Sequence, residues 1–408
     1  MHVQTKDCKS GLFFLAFFFL LTLTACGSDA PKTTPGLAWF LAQHEDLKAS
    51  YFVGRFGVDS HPSGWDHGAY LRAYVDMYEA THDVRLLEKL NELLKIVADG
   101  NDSLTGRVDD RTGRVMPGWS SRAYDYGPDG RSRYSEMLTN ALFAYPLAAF
   151  ARIVYENPGL RPAFCADAAR YFQMVQDLYA AHQPFVPDPA SPYPDGSEGA
   201  YFVYPENYYE SGVSYAGVAA PINMTVIIAE PLIELYRASV ARGEPVPEYR
   251  ETVERVGHYL WQNMRQKETP QGEPYLVWYY WPAAGELHEE LHMEDLTHGV
   301  RAAEFAVSLY DAGLRSRWDK AKLRLLANTF TQGAVIGENT FANYIDGTGG
   351  VYNDDAATLY EWMSLEPYAN HATGKTIEAY LTSAMRAEGT DEKYNIAVFA
   401  RFYRYGGK

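Results

Sequence analysis

Asp76-Met77-Tyr78-Glu79-Ala80, Ile153-Val154-Tyr155-Glu156-Asn157, Glu234-Leu235-Tyr236-Arg237-Ala238 and Ser308-Leu309-Tyr310-Asp311-Ala312 close four helix-patterned segments in the same way. Their tyrosines stand 77, 81 and 74 residues apart. Each segment is followed by a short polar break and a second amphipathic helix, as over residues 86–97 and 249–264. The first helix of each pair is the more apolar, and the second keeps one wet face. Hairpins repeating in this manner, apolar inside and amphipathic outside, predict an all-α fold. The expected form is an (α/α) toroid or barrel of about six or seven helical hairpins. A fifth hairpin is expected over residues 356–403.

Strand-like patterning is confined to pieces such as Ala200-Tyr201-Phe202-Val203-Tyr204 and Tyr275-Leu276-Val277-Trp278, so only minor β-structure is expected. The links over residues 100–134, 183–220, 269–293 and 337–354 are long and rich in Gly, Pro, Tyr and Asp. Long structureless loops in a compact domain are usually functional, and in a toroid they would build the rim of a cleft. No Ser- or Pro-rich linker divides the chain. A single catalytic domain is expected over residues 37–408.

The N-terminus reads as an export signal. Lys6 and Lys9 precede an apolar run that ends in Leu23-Thr24-Ala25-Cys26, a lipoprotein box. Residues 1–25 are the expected signal peptide, Cys26 the lipidated residue and 26–36 a tether. A transmembrane helix is the weaker reading, since the run falls short of the ~20 residues a span needs. Gly27 favours the outer membrane. With Cys8 lost and Cys26 acylated, only Cys165 remains, so no intramolecular disulfide and no cysteine metal site are expected. Cys165 reads as a small core residue.

The net charge of −16 argues against nucleic acid as a partner. Aromatic content is 14%, with 32 Tyr and 8 Trp. Flat rings with polar tips in excess of core needs suit carbohydrate contact.

Four constellations carry chemistry. Glu294-Asp295-Leu296-Thr297-His298-Gly299-Val300-Arg301 opens a helix, just after Val277-Trp278-Tyr279-Tyr280-Trp281. Its spacing sets Glu294 beside His298 and Thr297 beside Arg301 on shared helix faces. His298 is a base or a carboxylate clamp, or else a satisfied core histidine behind a helix cap. In Pro221-Ile222-Asn223-Met224 the amide either caps a helix or binds a carboxylate. Arg131-Ser132-Arg133-Tyr134-Ser135-Glu136, leading to Thr139-Asn140, offers guanidinium forks, or a solvated loop with a Ser135 cap. Asn343-Tyr344-Ile345-Asp346-Gly347-Thr348-Gly349-Gly350 lacks the lysine of a phosphate loop and fits a cleft rim with Tyr344 reaching in. Asp109-Asp110 and Asp354-Asp355 read first as turn residues and second as acid/base carboxylates. Asp195-Gly196-Ser197-Glu198 is too short for a calcium loop, and no metal spacing is present.

The order Val108-Asp109-Asp110-Arg111-Thr112-Gly113, Pro117-Gly118-Trp119, Tyr145-Pro146, Pro221-Ile222-Asn223-Met224, Val277-Trp278-Tyr279-Tyr280-Trp281 and Glu294-Asp295-Leu296-Thr297-His298 resembles bacterial α/α-toroid polysaccharide lyases. Polysaccharide lyase family 38, acting on uronate polymers such as alginate or glucuronan, is the nearest group. The resemblance covers about residues 60–367. The chain departs from it at Thr139 and Asn140, where relatives carry a histidine, and at Tyr279, where an asparagine is common.

The resemblance implies β-elimination without a cofactor. A neutralised uronate carboxylate lets C5 lose its proton to a base while an acid protonates the departing O4. It assigns Tyr280 as base and acid, with Tyr344 in reserve. A tyrosine pKa of ~10 must fall for that, which a nearby cation would arrange. Asn223, His298 and a protonated Glu294 would neutralise the carboxylate. Arg301 is the nearest cation, and Trp278 and Trp281 would stack on sugars. Trp119, Arg133, Tyr134 and Asn140 complete the expected binding surface. The expected partners are an acidic polysaccharide and, through Cys26, a membrane; the chain is expected to be a monomer. Competing readings are a glycoside hydrolase pairing Glu294 or Asp295 with Asp110 or Asp354, a uronate C5-epimerase, and a glycan-binding lipoprotein without catalysis.

Overall fold

The computed structural model describes residues 34–53, 64–122, 132–192, 198–205, 208–210, 213–282, 291–314, 318–389 and 395–406. The export signal, Cys26, Arg131 and most of the 195–198 segment lie outside them. The described chain is mostly helical, as the sequence pattern requires.

Helix α1 (Pro35–Ala42) and the short α2 (His44–Leu47) lead into α3 (Gly64–Thr81) and α4 (Val84–Asp99), with one turn, α5 (Asp102–Thr105), after them. Helices α6 (Met137–Glu156) and α7 (Arg161–His182) form the next pair. Two small hairpins follow, β1 (Phe185–Pro192) with β2 (Glu198–Phe202) and β3 (Tyr209–Glu210) with β4 (Val213–Ser214). After α8 (Ile222–Ala241) and α9 (Pro247–Asn263) comes the hairpin β5 (Arg265–Glu268) and β6 (Pro274–Val277). Helices α10 (Leu296–Asp311) and α11 (Lys320–Asn328) precede β7 (Val335–Gly337) and β8 (Thr340–Phe341). A 3-10 segment, Ala356–Tyr368, then α12 (Ile377–Glu388) and α13 (Ile396–Tyr405) complete the chain.

The packing order runs α3 on α6, α6 on α8, α8 on α10, α10 on the 3-10 segment, that segment on α13, and α13 back on α3. Helices α4, α7 and α9 lie against α3, α6 and α8 from outside, each joined to its inner partner by a short turn. Composition explains the division. Helix α6 is buried over nearly its whole length, with Ala141, Ala144, Ala148, Ala149 and Ala151 letting neighbours approach. It is apolar and long enough to cross a bilayer, but 94% of that window is buried inside the protein, as in a core helix. Helix α4 buries Leu86, Leu87, Leu90, Leu93, Leu94 and Val97 along one stripe and leaves the other face wet. The hairpin expected over residues 356–403 is instead three pieces. Pro367 cannot donate a backbone N–H, and Ala356–Tyr368 winds as 3-10 turns.

Cys165 is buried on α7 as a core residue.

The middle and last turns of the inner helices enclose a chamber of paired charges. Arg72 holds Glu230 through two hydrogen bonds of 2.7 and 2.6 Å. Arg152 reaches Glu234 at 2.7 Å and Glu79 at 2.6 Å. Arg401 of α13 binds Asp76 of α3 at 3.0 Å and also Glu304 of α10. Burial pushes the Glu234 and Glu304 carboxyls up, and the adjacent arginines outweigh it, holding both below the ordinary range. Removing one partner of such a pair costs about 3–5 kcal/mol, because the other charge is left dry and alone.

Candidate functional site

The segment before α10 is held in a narrow seam. Tyr279 bridges Met293 and Asp295 bridges Tyr344, both antiparallel. Asp295 then caps α10, its Oδ1 accepting the N–H groups of Thr297 at 2.9 Å and His298 at 2.8 Å. Its other oxygen, Oδ2, lies 2.5 Å from His298 Nδ1. A carboxylate can only accept, so Nδ1 donates to it and Nε2 is the ring nitrogen left for a ligand. Burial opposes the Asp295 charge, and the bonds from His298 and the cap more than offset it, so its carboxyl sits below the usual range. The imidazole is 42% exposed and open to a ligand.

Tyr280 lies edge-on to His298, with ring centroids 5.6 Å apart. Its carbonyl accepts the N–H of Ile222, which ties this segment to the start of α8. The next residue, Asn223, is buried, and its Oδ1 accepts the Met224 N–H at 2.8 Å. Asn223 Nδ2 has no partner. Glu294 is buried under the first turn of α10. Gly299 makes room there, since a Cβ would lie 3.3 Å from both Glu294 and Trp278. Its Oε2 accepts the Trp278 indole N–H at 3.2 Å, while Oε1 has no partner. Burial, and then the Asp295 charge, raise its carboxyl well above the ordinary range, so Glu294 is a neutral acid with a proton to donate. Asn223 Nδ2 and Glu294 Oε1 each have room for one more hydrogen bond, as do other buried atoms such as Asn101 Nδ2 and Ser364 Oγ, and of the two Glu294 shares its surroundings with His298.

His298 also lines a cavity of about 500 Å³, with Trp65 and Tyr70 of α3, Arg301, Tyr360 and Asn395. Arg301 is not a free cation. It pairs with Glu361 at 2.7 Å and Glu304 at 3.1 Å, below the Trp65 ring. That corrects its expected role, for its charge is already answered twice.

Burial withdraws several expected contacts. Trp278 is 1% exposed and spends its N–H on Glu294, so it is a core residue and not a sugar platform. Trp119 is buried with its N–H on the Val97 carbonyl. Asn140, fully buried, accepts the Trp119 N–H and donates to Ser135 Oγ. Arg133 is buried and donates to the Ser120 carbonyl. Trp281 is buried and stacks on Tyr215, centroids 6.0 Å apart at 4°. Tyr344 is half-buried beside Asp295, its ring lying where a Cβ on Gly349 (φ +81°) would overlap it. Tyr134 lines a second cavity described below. Asp109 and Asp110 accept backbone N–H groups of Thr112, Ser135 and Arg133, and Asp354 accepts that of Asp355, the plainer turn role.

What the sequence pattern did not expose is Asp295 as the group that orients His298. A cap and a histidine partner are one side chain here, and only the cap has a spacing signal. Trp65, Tyr70, Tyr360 and Asn395 also escaped, because they come from distant turns.

Two groups of donor atoms are close enough for a metal ion among the described residues. His44, Glu45 and Glu92 are already answered by Lys48 and Lys89. Glu294, Asp295 and His298 have donor atoms within 4.8 Å of one another, but the Asp295–His298 hydrogen bond and the neutral Glu294 account for them. No model of a known protein family matches the chain, and no curated protein matches it in sequence.

Proposed function

We propose that the closed packing order of inner helices is an (α/α) toroid, and that the chain is a polysaccharide lyase acting on a uronate polymer. The observation that carries this reading is the Asp295-held His298, with Tyr280 against it and two unpartnered buried groups, Glu294 Oε1 just before α10 and Asn223 Nδ2 next to Ile222, whose N–H the Tyr280 carbonyl accepts.

The chemistry needs a neutralised carboxylate, a base and an acid. Asn223 Nδ2–H and the protonated Glu294 are the donors for the uronate carboxylate, which stabilises charge developing at C5. His298 Nε2, not Tyr280, takes the C5 proton, because Asp295 stabilises the imidazolium that forms. The C5–H pair becomes the C4–C5 double bond, the C4–O4 bond breaks, and Tyr280 O–H protonates the leaving oxygen. Solvent then carries the proton from the imidazolium to the phenolate. The lipid on Cys26 would keep the enzyme at the cell envelope, on the acidic glycan it degrades.

The test is ultraviolet absorbance during incubation with polymannuronate, polyguluronate, glucuronan and unsulfated glycosaminoglycans. A rise with one polymer, lost in Tyr280→Phe and His298→Ala, supports elimination. Falling chain length with a flat trace would replace it by hydrolysis, for which Asp66 and Asp355 on the same cavity are the available carboxylates. Binding without turnover of any polymer would leave a glycan-binding protein.

A further inference from the structure

A row of aromatic rings leads away from His298. Tyr280 touches Trp281 (5.6 Å between centroids), Trp281 stacks on Tyr215 (6.0 Å), and Tyr215 meets Tyr204 (5.5 Å). Tyr204 stacks on Tyr208 (4.6 Å, 21°), and Tyr208 meets Tyr134 (6.1 Å). Tyr204 also donates its hydroxyl proton to the sulfur of Met224, the neighbour of Asn223, so the row passes the start of α8. Most of these rings are buried, while Tyr215 and Tyr280 are half-buried. The row ends at a second cavity.

That cavity measures about 380 Å³ and is lined by Tyr134, Tyr204, Tyr208, Arg111, Glu136 and His182, among others. Arg111 makes no ion pair among the described residues, although the chain carries a net charge of −16. Its contrast is with Arg72, Arg152, Arg301 and Arg401, each answered by carboxylates. Glu136, the acid on the same wall, accepts the N–H groups of Leu138 and Thr139 at 2.7 Å, which hold its charge at the start of α6. His182 is half-buried, and burial, with Arg111 nearby, keeps it below its ordinary pKa. The cavity therefore has one cation, several tyrosines and a fixed distance along one wall from His298.

We propose that this cavity is a distal subsite, binding a further uronate unit of the same chain, with its carboxylate on Arg111 and its ring against the tyrosines. A guanidinium without a counter-ion beside aromatic faces is the donor set for an acidic sugar. The aromatic row is then the packed backing that fixes the spacing of the two cavities, and the preferred substrate is an oligomer long enough to span both. The occupant's acidity rests on the lyase reading; the subsite itself does not.

The experiment is calorimetric binding of oligomannuronates and oligoglucuronates of increasing, defined length to the protein, its Arg111→Gln variant and its Arg111→Lys variant. The absorbance assay is run on the same oligomers. The expected result is affinity that climbs with length in the parent. Arg111→Gln loses the climb, by about tenfold on the longest oligomer, and leaves the shortest unchanged. Arg111→Lys keeps part of it. A parent that shows no length dependence, or an Arg111→Gln variant that binds every length like the parent or weakens all lengths equally, overturns the subsite. If the length effect disappears in Arg111→Gln but no oligomer yields an unsaturated product, the subsite stands and elimination falls. If oligomers are cleaved and Arg111→Gln changes nothing, elimination stands and the subsite falls.

Discussion

Asp295 serves α10 and His298 at once: one oxygen caps the helix and the other lies 2.5 Å from His298 Nδ1. The helix start and the orientation of the imidazole are therefore one structural fact, and the substitutions Asp295→Asn and Asp295→Ala separate its two halves.

Asparagine is as good a cap as aspartate, so Asp295→Asn should change unfolding stability by less than about 1 kcal/mol. It removes the anion that stabilises an imidazolium, and kcat should fall at least about a hundredfold with little change in KM. Asp295→Ala should lose activity and about 1 kcal/mol of stability besides. The Asp295 carboxyl is held below its unfolded value of ~3.9, so its contribution persists above that pH and is lost as pH falls. Equal activity of parent and Asp295→Asn would remove the pair from the mechanism.

Glu294 has the opposite sign. Its folded pKa is raised by burial and by Asp295 above an unfolded value of ~4.3. Folding is unpenalised below that pH and loses stability as pH climbs toward the folded value. Glu294→Gln keeps an acceptor for Trp278 and removes the titration. Denaturant unfolding should show the two proteins alike near pH ~4, with the variant the more stable near pH ~8. Because Gln keeps a donor, this variant should retain more activity than Glu294→Ala. An unchanging gap across pH would mean that Glu294 does not titrate as described.

Asn223 Nδ2 is buried without a partner, so its removal takes little from the free protein. Asn223→Ala should reduce kcat/KM by about a hundredfold, while the melting temperature falls by no more than a few degrees. A large loss of stability with normal activity would identify the amide as structural.

Arg401 binds α13 to α3 and α10 through Asp76 and Glu304. Arg401→Met removes a charged partner from Asp76 and Glu304, which keep Arg404 and Arg301, and should cost about 1.5–3 kcal/mol in thermal or denaturant unfolding. A variant as stable as the parent would show that the C-terminal helix does not close the packing order.

The inner helices α3, α6, α8 and α10 were legible because each ends in a tyrosine at a similar interval, and α6 and α8 are also apolar over most of their length. The 3-10 segment escaped because Ala356–Tyr368 carries an interior proline and no amphipathic period. His298, Tyr280, Asn223 and Glu294 came from local crowding of polar groups at helix starts, a signal that survives in one dimension. Trp119, Asn140 and Trp278 were assigned to the substrate because residue type alone does not tell a wet ring from a dry one. The Arg401 pairs join residues hundreds of positions apart, and no spacing rule announces them.

Elements α3, α10, Ala356–Tyr368 and α13 all bring their first turns to the cavity beside His298 and their last turns to the ionic chamber. Aligned peptide dipoles leave roughly half a positive charge at each helix start and the reverse at each end. The molecule is thus polarised along its inner helices. Its open mouth favours an anion although the chain as a whole is −16, while at the opposite end the arginines are paired with carboxylates. For the acidic polymer proposed as substrate, the attraction would come from the direction in which the chain winds, not from how many lysines and arginines it carries.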